Sequence, residues 1–480
     1  MSDTVPVKSM RKDKIRLAPQ AVTTRPVAGR IADFDPIVMS FDETSACAEA
    51  DRCLSCPRQP CVAACPLSND IPTAMHHIAE GRFLEAAAVY RATSPFPEIC
   101  SRVCPQENLC EGACVLGKHG QPVALGMLER FVTDYQREIA PETVVPLRAP
   151  SSGKRVAVVG TGPAGMSVAH WLLELGYAVT LYEAWPAPGG WLTYAVPSYK
   201  LPRGVLHDAL ARLEQMGARF VFNTRIGQDI AVETLRAEYD AVFLGVGAMR
   251  DTAASFPGHN LPGVYTGTEF LLPVYTPAAL RPPQMAEPEI GAHVVVFGGG
   301  DTAMDCVRTA VRLQVRQGMQ PNVTLMYRRT EYEMPAAHKE RHAAREEGVE
   351  FVYLAAPLAF HPGPDGRIHE VVVQEMALGE PDASGRRRPV PTGHEYTVRA
   401  DVAVLALGYE ADPLLGETTP DLLTHKHGLI VIDPQTGATN LPGVFAGGDD
   451  VRGPHLVSVA NHDGIVAARA IHAYLTAAQP

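Results

Sequence analysis

The chain has 480 residues, 46% of them apolar and 20% charged, the balance of a globular enzyme. At about 150 residues per domain, that length implies roughly three domains. A net charge of -11 argues against nucleic acid as a partner, and no run approaches the ~18 apolar residues of a membrane span.

The N-terminus is basic (Lys8, Arg11, Lys12, Lys14, Arg16) with no apolar stretch behind it. It is therefore not read as a secretory signal, and a cytoplasmic location is expected. Residues 1–40 lack sustained periodicity and read as an extended arm with local structure. Nine of the ten cysteines then fall between Cys47 and Cys114. Such crowding in a reducing compartment points to metal rather than to disulfides. The pattern is Cys53-x2-Cys56-x4-Cys61-x3-Cys65-Pro66, a helical interlude over Ile71–Tyr90, then Cys100-x3-Cys104-Pro105-x4-Cys110-x3-Cys114. Two structural zinc knuckles could use these spacings. The Cys-Pro of each half is shared with bacterial ferredoxins, where the last cysteine of a run ligates the other cluster, although the x4 gap here is longer. Spacing alone suggests that each four-cysteine motif holds its own cluster.

The run Arg52-Cys53-Leu54-Ser55-Cys56, Cys61 and Cys65-Pro66, with Pro97-Glu98-Ile99-Cys100, Cys104-Pro105-Gln106 and Leu109-Cys110-Glu111-Gly112, closely resembles the small (beta) subunit of bacterial glutamate synthase. It is also similar to the N-terminal part of dihydropyrimidine dehydrogenases. The resemblance implies a helical domain with two 4Fe–4S clusters whose ligands interleave. One cluster would use Cys53, Cys56, Cys61 and Cys114. The other would use Cys65, Cys104, Cys110 and a non-cysteine ligand, Glu129, from Leu125-Gly126-Met127-Leu128-Glu129. Cys100 becomes a spare thiol. Glu129 read without the resemblance is a surface helix residue, and Cys47 is a small buried one.

Residues 141–153, with Pro141, Pro146, Pro150 and Gly153, read as a linker. Next, Lys154–Val159 is a strand, Gly160-Thr161-Gly162-Pro163-Ala164-Gly165 a glycine turn opening a helix that runs to Leu175-Gly176, and Ala178–Tyr182 a strand ending at Glu183. The first glycine permits the tight turn, the second lets a pyrophosphate approach the backbone, and the third lets helix and strand pack closely. Helix-start amides face the phosphates, and Glu183 is placed to accept from an adenosine ribose. Pro188-Gly189-Gly190-Trp191-Leu192 and Val196–Pro202, with Lys200, follow. The resemblance puts them beside an FAD ribityl and isoalloxazine, with Trp191 and Ala195 standing where the family has leucine and glycine. Asp240–Gly247 is a buried strand opening into glycine, matching the strand that returns to the flavin.

A second dinucleotide site begins at His293–Phe297 with Gly298-Gly299-Gly300-Asp301-Thr302-Ala303, alanine being an accepted last position. Its next strand, Asn322–Met326, ends in Tyr327-Arg328-Arg329 rather than in an acid. A carboxylate there would repel a 2′-phosphate and a guanidinium pairs with it, so NADPH is expected over NADH; the alternative is a solvated charge pair. Residues 361–398 read as a hairpin or surface insertion, and Val402–Gly408 closes this domain. Gly443–Asp449, with Gly448 and Asp449, and the helix led by Leu456 and Val457 return to the flavin.

The expected architecture is α/β: two nested Rossmann-like domains preceded by an α-helical iron–sulfur domain. Its boundaries are 1–150, 151–288 (FAD), 289–410 (NADPH) and 411–480 (FAD). Beyond residue 114 the only cysteine is Cys306, so electrons are expected to leave through the N-terminal segment to a large subunit or a ferredoxin, in a hetero-oligomer. No glutaminase domain and no FMN barrel is recognisable, so the chain is not expected to make glutamate alone. Other assignments open at this point are the NAD(P)-binding subunit of a dihydropyrimidine dehydrogenase, a ferredoxin:NADP reductase-like or bifurcating subunit, and a zinc-stabilised nucleotide-binding module.

Overall fold

Apolar residues at helical spacing, with caps between them, set the N-terminal third. The computed structural model describes residues 13–282, 285–383 and 385–477; Lys8, Arg11 and Lys12 of the basic start lie outside these. Helices cover Glu43–Asp51, Ile71–Ala79, Phe83–Arg91, Pro97–Val103 and Leu125–Ile139. Asp42 and Asp70 cap the first two by accepting from Ser45 N and Thr73 N. Met75, Ile78, Phe83, Tyr90, Leu128 and Val132 close a core among them. The helical interlude expected over Ile71–Tyr90 consists of two helices, because Gly81 takes φ +72° and turns the chain between them.

Among the described residues fifteen strands follow. β1 (Arg155–Val159), β2 (Ala178–Tyr182), β3 (Arg219–Val221) and β4 (Ala241–Leu244) precede β5 (Arg250–Asp251), β6 (Val264–Thr266), β7 (Val294–Phe297), β8 (Val323–Tyr327) and β9 (Glu350–Tyr353). After them come β10 (Ala355–Pro362), β11 (Ile368–Pro381), β12 (Arg387–Arg399), β13 (Val402–Leu405), β14 (Tyr409–Glu410) and β15 (Val444–Ala446). One parallel sheet has the order β15-β4-β1-β2-β3, the other β6-β13-β7-β8-β9. Apart from the exposed Arg155 that opens β1, the central strands of both are buried, as a sheet covered on both faces requires. The second sheet is inserted into the first, and the two crossings pair as the antiparallel ribbon β5–β14.

β6 joins the second sheet, and Phe270, Leu271 and Tyr275 of the next helix pack in its core. The second sheet and its core therefore draw on residues from 264 onward, ahead of residue 289. Residues 361–398 form most of a three-stranded antiparallel sheet, β10-β11-β12, rather than a lone hairpin. The arm lies across both halves: Arg30 pairs with Glu346 (2.7 Å) and Glu347 (3.2 Å). Nearby, Ser198 Oγ donates to Phe34 O (2.9 Å) and Ile37 N to Tyr199 O (3.4 Å). Among the described residues no helix is long and apolar enough to cross a membrane.

Candidate functional site

The first glycine turn separates into three roles. Gly160 (φ +92°) sits so close to Gly245 O that no side chain fits, and Gly165 is pressed against Gly160 O. A Cβ on Gly162 would meet nothing within 4 Å. The outer two glycines thus hold strand and helix together, while the middle one borders open space, as a pyrophosphate needs. Pro163 occupies the first turn of the helix Pro163–Glu174, where its missing N–H costs nothing. Gly190 (φ +53°) lies over this turn: a Cβ there would be 3.1 Å from Gly162 Cα. Gly448 approaches Ala164 in the same way, at 3.1 Å from its Cβ. Thus the three separated stretches meet at one cradle.

Glu183, at the end of β2, is buried; its Oε2 accepts from Thr161 N (3.2 Å) and Thr161 Oγ1, and Oε1 accepts from Trp185 N (3.0 Å). Burial pushes this carboxyl up, against the donors from Thr161 and Trp185. Asp449 Oδ1 accepts from His455 N (3.2 Å), and burial pushes Asp449 up to about 7, with Asp463 adding to it. Its neighbour Asp450, not singled out from the sequence, is buried and accepts from Val246 N at 3.1 Å, leaving Oδ1 unpartnered. Gly247 and Gly408, both at positive φ, flank the crossing ribbon. Leu192 is buried, while Trp191 packs on Tyr409 with ring centroids 5.4 Å apart. The Tyr409 hydroxyl and the Thr302 methyl of the second cradle both crowd Gly267, which leaves little room for a side chain there.

In that cradle Gly298 (φ +154°) abuts Ala406 O, Ala303 takes the third position, and Gly300 faces open space. Asp301 Oδ1 accepts from Ala337 N (3.0 Å), and Ala336 N donates to Gly299 O (3.0 Å), folding residues 334–337 against the turn. The arginine pair divides. Arg328 is exposed. Arg329 is buried, donating to Asp382 (2.7 Å) and to Arg387 O (2.7 Å), so it anchors β11 and β12 to β8. Lys200, expected in the loop beside the flavin, is enclosed between Asp305 and Glu340, the latter at 3.0 Å. Burial would push that ammonium down, but the two carboxylates overcome it and hold it protonated.

The cysteines gather into two walls. One cavity is lined by Cys53, Cys56, Cys61 and Cys114, and another by Cys65, Cys100, Cys104, Cys110 and Glu129. Each wall thus mixes cysteines of both sequential motifs. Burial pushes the Cys61 and Cys65 thiols up to about 11, a state that a bound cation reverses by favouring thiolate. Glu129, for which the alternative to a ligand is a plain surface helix residue, is buried, and its Oε1 has no partner. A carboxyl left unsatisfied in a cavity of thiols is chemically suited to an iron ligand. Among the described residues no three His, Cys, Asp or Glu converge as a single ion requires; the thiols surround a volume. Cys100 is buried against this second wall, and Ser458, from the far end of the chain, also lines it. Cys47 is half-buried and donates to Ile78 O (3.2 Å).

Residues 30–140 match the family described as dihydropyrimidine dehydrogenase domain II, 4Fe-4S cluster, and residues 154–464 the pyridine nucleotide-disulphide oxidoreductases. The small chain of glutamate synthase [NADPH] from Escherichia coli K12 is 37% identical over 458 residues, 94% of this chain and 96% of that one. The chain belongs to the glutamate synthase small-chain family. The Azospirillum brasilense small chain is 38% identical, with 94% of each chain covered. The putative oxidoreductase UacF of E. coli K12 is 40% identical over 92% of this chain and 69% of its own. FprA of Mycobacterium tuberculosis shares the fold, with a TM-score of 0.57, 21% identity, and coverage of 69% of this chain and 86% of that one. This small-chain homologue is accordingly an NADPH-dependent oxidoreductase, with FAD, NADPH and 4Fe–4S as its cofactors. The zinc-stabilised module is overturned by the match to a 4Fe-4S family.

Proposed function

We propose that this small-chain homologue takes reducing equivalents from NADPH and passes them to a large-subunit partner for glutamate synthesis, in the cytoplasm. The observation that carries the route is the pair of cysteine-lined cavities, one of which the flavin-domain residue Ser458 also lines. When bound, the nicotinamide supplies hydride, the flavin splits it into single electrons, and the clusters conduct them.

The protein's own part is placement. Gly160, Gly162 and Gly165 present the amides of the helix Pro163–Glu174 to an FAD pyrophosphate, Glu183 faces its ribose, and Gly448, Asp449, Leu456 and Val457 close the far side. Gly298, Gly300, Asp301, Thr302 and Ala303 do the same for NADPH, with Arg328 on the 2′-phosphate. Trp191 packs on Tyr409, and Tyr409 and Thr302 both border Gly267. Two clusters, one per cavity, are held by the two interleaved sets, Glu129 completing the second.

Anaerobically purified chain should hold about eight iron and eight sulfide per FAD. NADPH should bleach the flavin and then the cluster absorbance, and a glutamate synthase large subunit should restore glutamate formation. Half the iron would remove one cluster from the proposal; flavin reduction with silent clusters would remove the route.

A further inference from the structure

The helix His338–Glu346 belongs to the nucleotide domain, yet its first turn reaches the cysteine domain. The segment before it is tied to the second glycine turn, by Ala336 N to Gly299 O (3.0 Å) and Ala337 N to Asp301 Oδ1 (3.0 Å). Two residues on, Lys339 N donates to Glu107 Oε1 (3.2 Å), and Lys339 Nζ donates to Cys104 O (2.7 Å) and to Gln106 Oε1 (2.6 Å). Cys104 and Gln106 both line the Glu129 cavity, so the ammonium is one residue removed from it. Gln106 is buried; its Nε2 donates to Ser101 O (2.8 Å), and its amide fills the space that a side chain on Gly126 would need. Gly126 lies on the same helix as Glu129, Leu125–Ile139. A single amide side chain therefore stands between Lys339 and the helix that carries Glu129. The other cavity also has a lysine behind it: Lys14 Nζ donates to Cys53 O (3.3 Å), but Asp51 pairs with that ammonium at 3.0 Å. Lys339 Nζ bonds instead to two neutral oxygens.

We propose that Lys339 is a positioning residue for the loop from Cys104 to Cys110, and that its charge raises the reduction potential of the Glu129-bearing cluster relative to the other. The physical reason is Coulombic. Reduction adds negative charge to the cluster and its sulfurs, and a cation behind the cavity wall stabilises the reduced form more than the oxidised one. Lys14 contributes less at the other cavity because Asp51 offsets it. The nucleotide domain thereby does more than hold the hydride donor: from a segment seated on its own glycine turn, it supplies a charge that makes this cluster the better acceptor.

This rests on reading the cavities as 4Fe–4S sites, and the test separates the two. The intact holo chain and the variants Lys339→Arg, Lys339→Met and Lys339→Glu are titrated with dithionite and mediators under EPR, with iron and sulfide measured on each. At fixed potential Lys339→Met should lower the reduced-to-oxidised ratio of one cluster about threefold, about 28 mV for a one-electron couple, and Lys339→Glu about tenfold, about 59 mV. Lys339→Arg, which keeps the charge, should stay near wild type, and the cluster of Cys53, Cys56, Cys61 and Cys114 should not move. Because Lys339 is exposed, the gap between the Met and Arg variants should shrink from about 0.1 M to about 1 M salt, as the screening length falls from about 10 Å to about 3 Å. A purely structural role would not order the variants by charge. If Lys339→Glu does not load, Lys339→Met against Lys339→Arg decides by the same reading. Loaded variants with unchanged potentials, or with both clusters shifted equally, overturn the inference alone. A wild-type chain without iron overturns the reading beneath it as well.

Discussion

Glu98 joins the cysteine domain to the flavin domain, and its removal is the most direct test of how the two are held. It is fully buried, with Arg212 Nη2 at 2.8 Å from one oxygen and Arg91 Nη1 at 3.1 Å from the other. Burial alone would raise its pKa, but Arg212 and Arg91 overcome that and hold the carboxyl down at about 2. Against its ordinary 4.5, and at about 1.4 kcal/mol for each tenfold in proton affinity, the ionised form contributes about 3 kcal/mol. Breaking a buried pair costs about 3–5 kcal/mol, the same range. Arg91 gives some of this back, since burial outweighs its partner and pushes it down to about 10, still charged at neutral pH. Glu98→Gln should therefore lower the urea midpoint at pH 7, followed by flavin fluorescence, by about 3 kcal/mol once multiplied by the slope. Because the folded value lies below the unfolded one, this stability is complete above pH 4.5 and fades as pH falls towards 2. The gap between variant and wild type must shrink over that window. Equal midpoints at pH 7, or a gap constant from pH 7 to pH 3, would refute the reasoning.

The remaining predictions concern the cradles. Arg328→Ala should raise KM for NADPH by about tenfold and leave NADH unchanged, as loss of one charge-assisted contact implies. Arg329→Ala should spare that ratio and instead loosen β11 and β12, seen as faster hydrogen exchange there. Gly162→Ala has room for its methyl in the protein and should fold but bind FAD poorly, read as bound flavin per chain against an unchanged circular dichroism spectrum. Gly165→Ala collides with Gly160 O and should lower thermal stability as well. Glu129→Ala should lose the iron of one cluster, whereas Glu129→Gln, which keeps an oxygen ligand, should lose less.

The parts legible in the sequence are those where a backbone constraint leaves one residue type. Gly160 and Gly165 had to be glycine because carbonyl oxygens occupy the space of a side chain. The interleaving of the cysteines follows from family resemblance rather than spacing, and the cavity walls do mix cysteines of both motifs, with Cys100 and Glu129 in the second. What escaped depends on partners distant in sequence. Arg329 meets Asp382, 53 positions later, only through the placement of β11 and β12 against β8. Lys200 is enclosed by Asp305 and Glu340 because two domains meet there. Ser458 and Asn461 sit on a helix whose apolar pattern is that of an ordinary core helix, and nothing local marks the face turned to Cys100. β6 is three residues of unremarkable Val-Tyr-Thr, too short for periodicity to assign it to a sheet.

The arm of residues 13–40 behaves as a belt buckled at Arg30 onto Glu346 and Glu347 and threaded past Tyr199. Any swing of the nucleotide domain about the slim ribbon β5–β14 must first unfasten a guanidinium that is 2% exposed. The angle between the two halves is thus locked by a segment that lies far from the ribbon in the sequence.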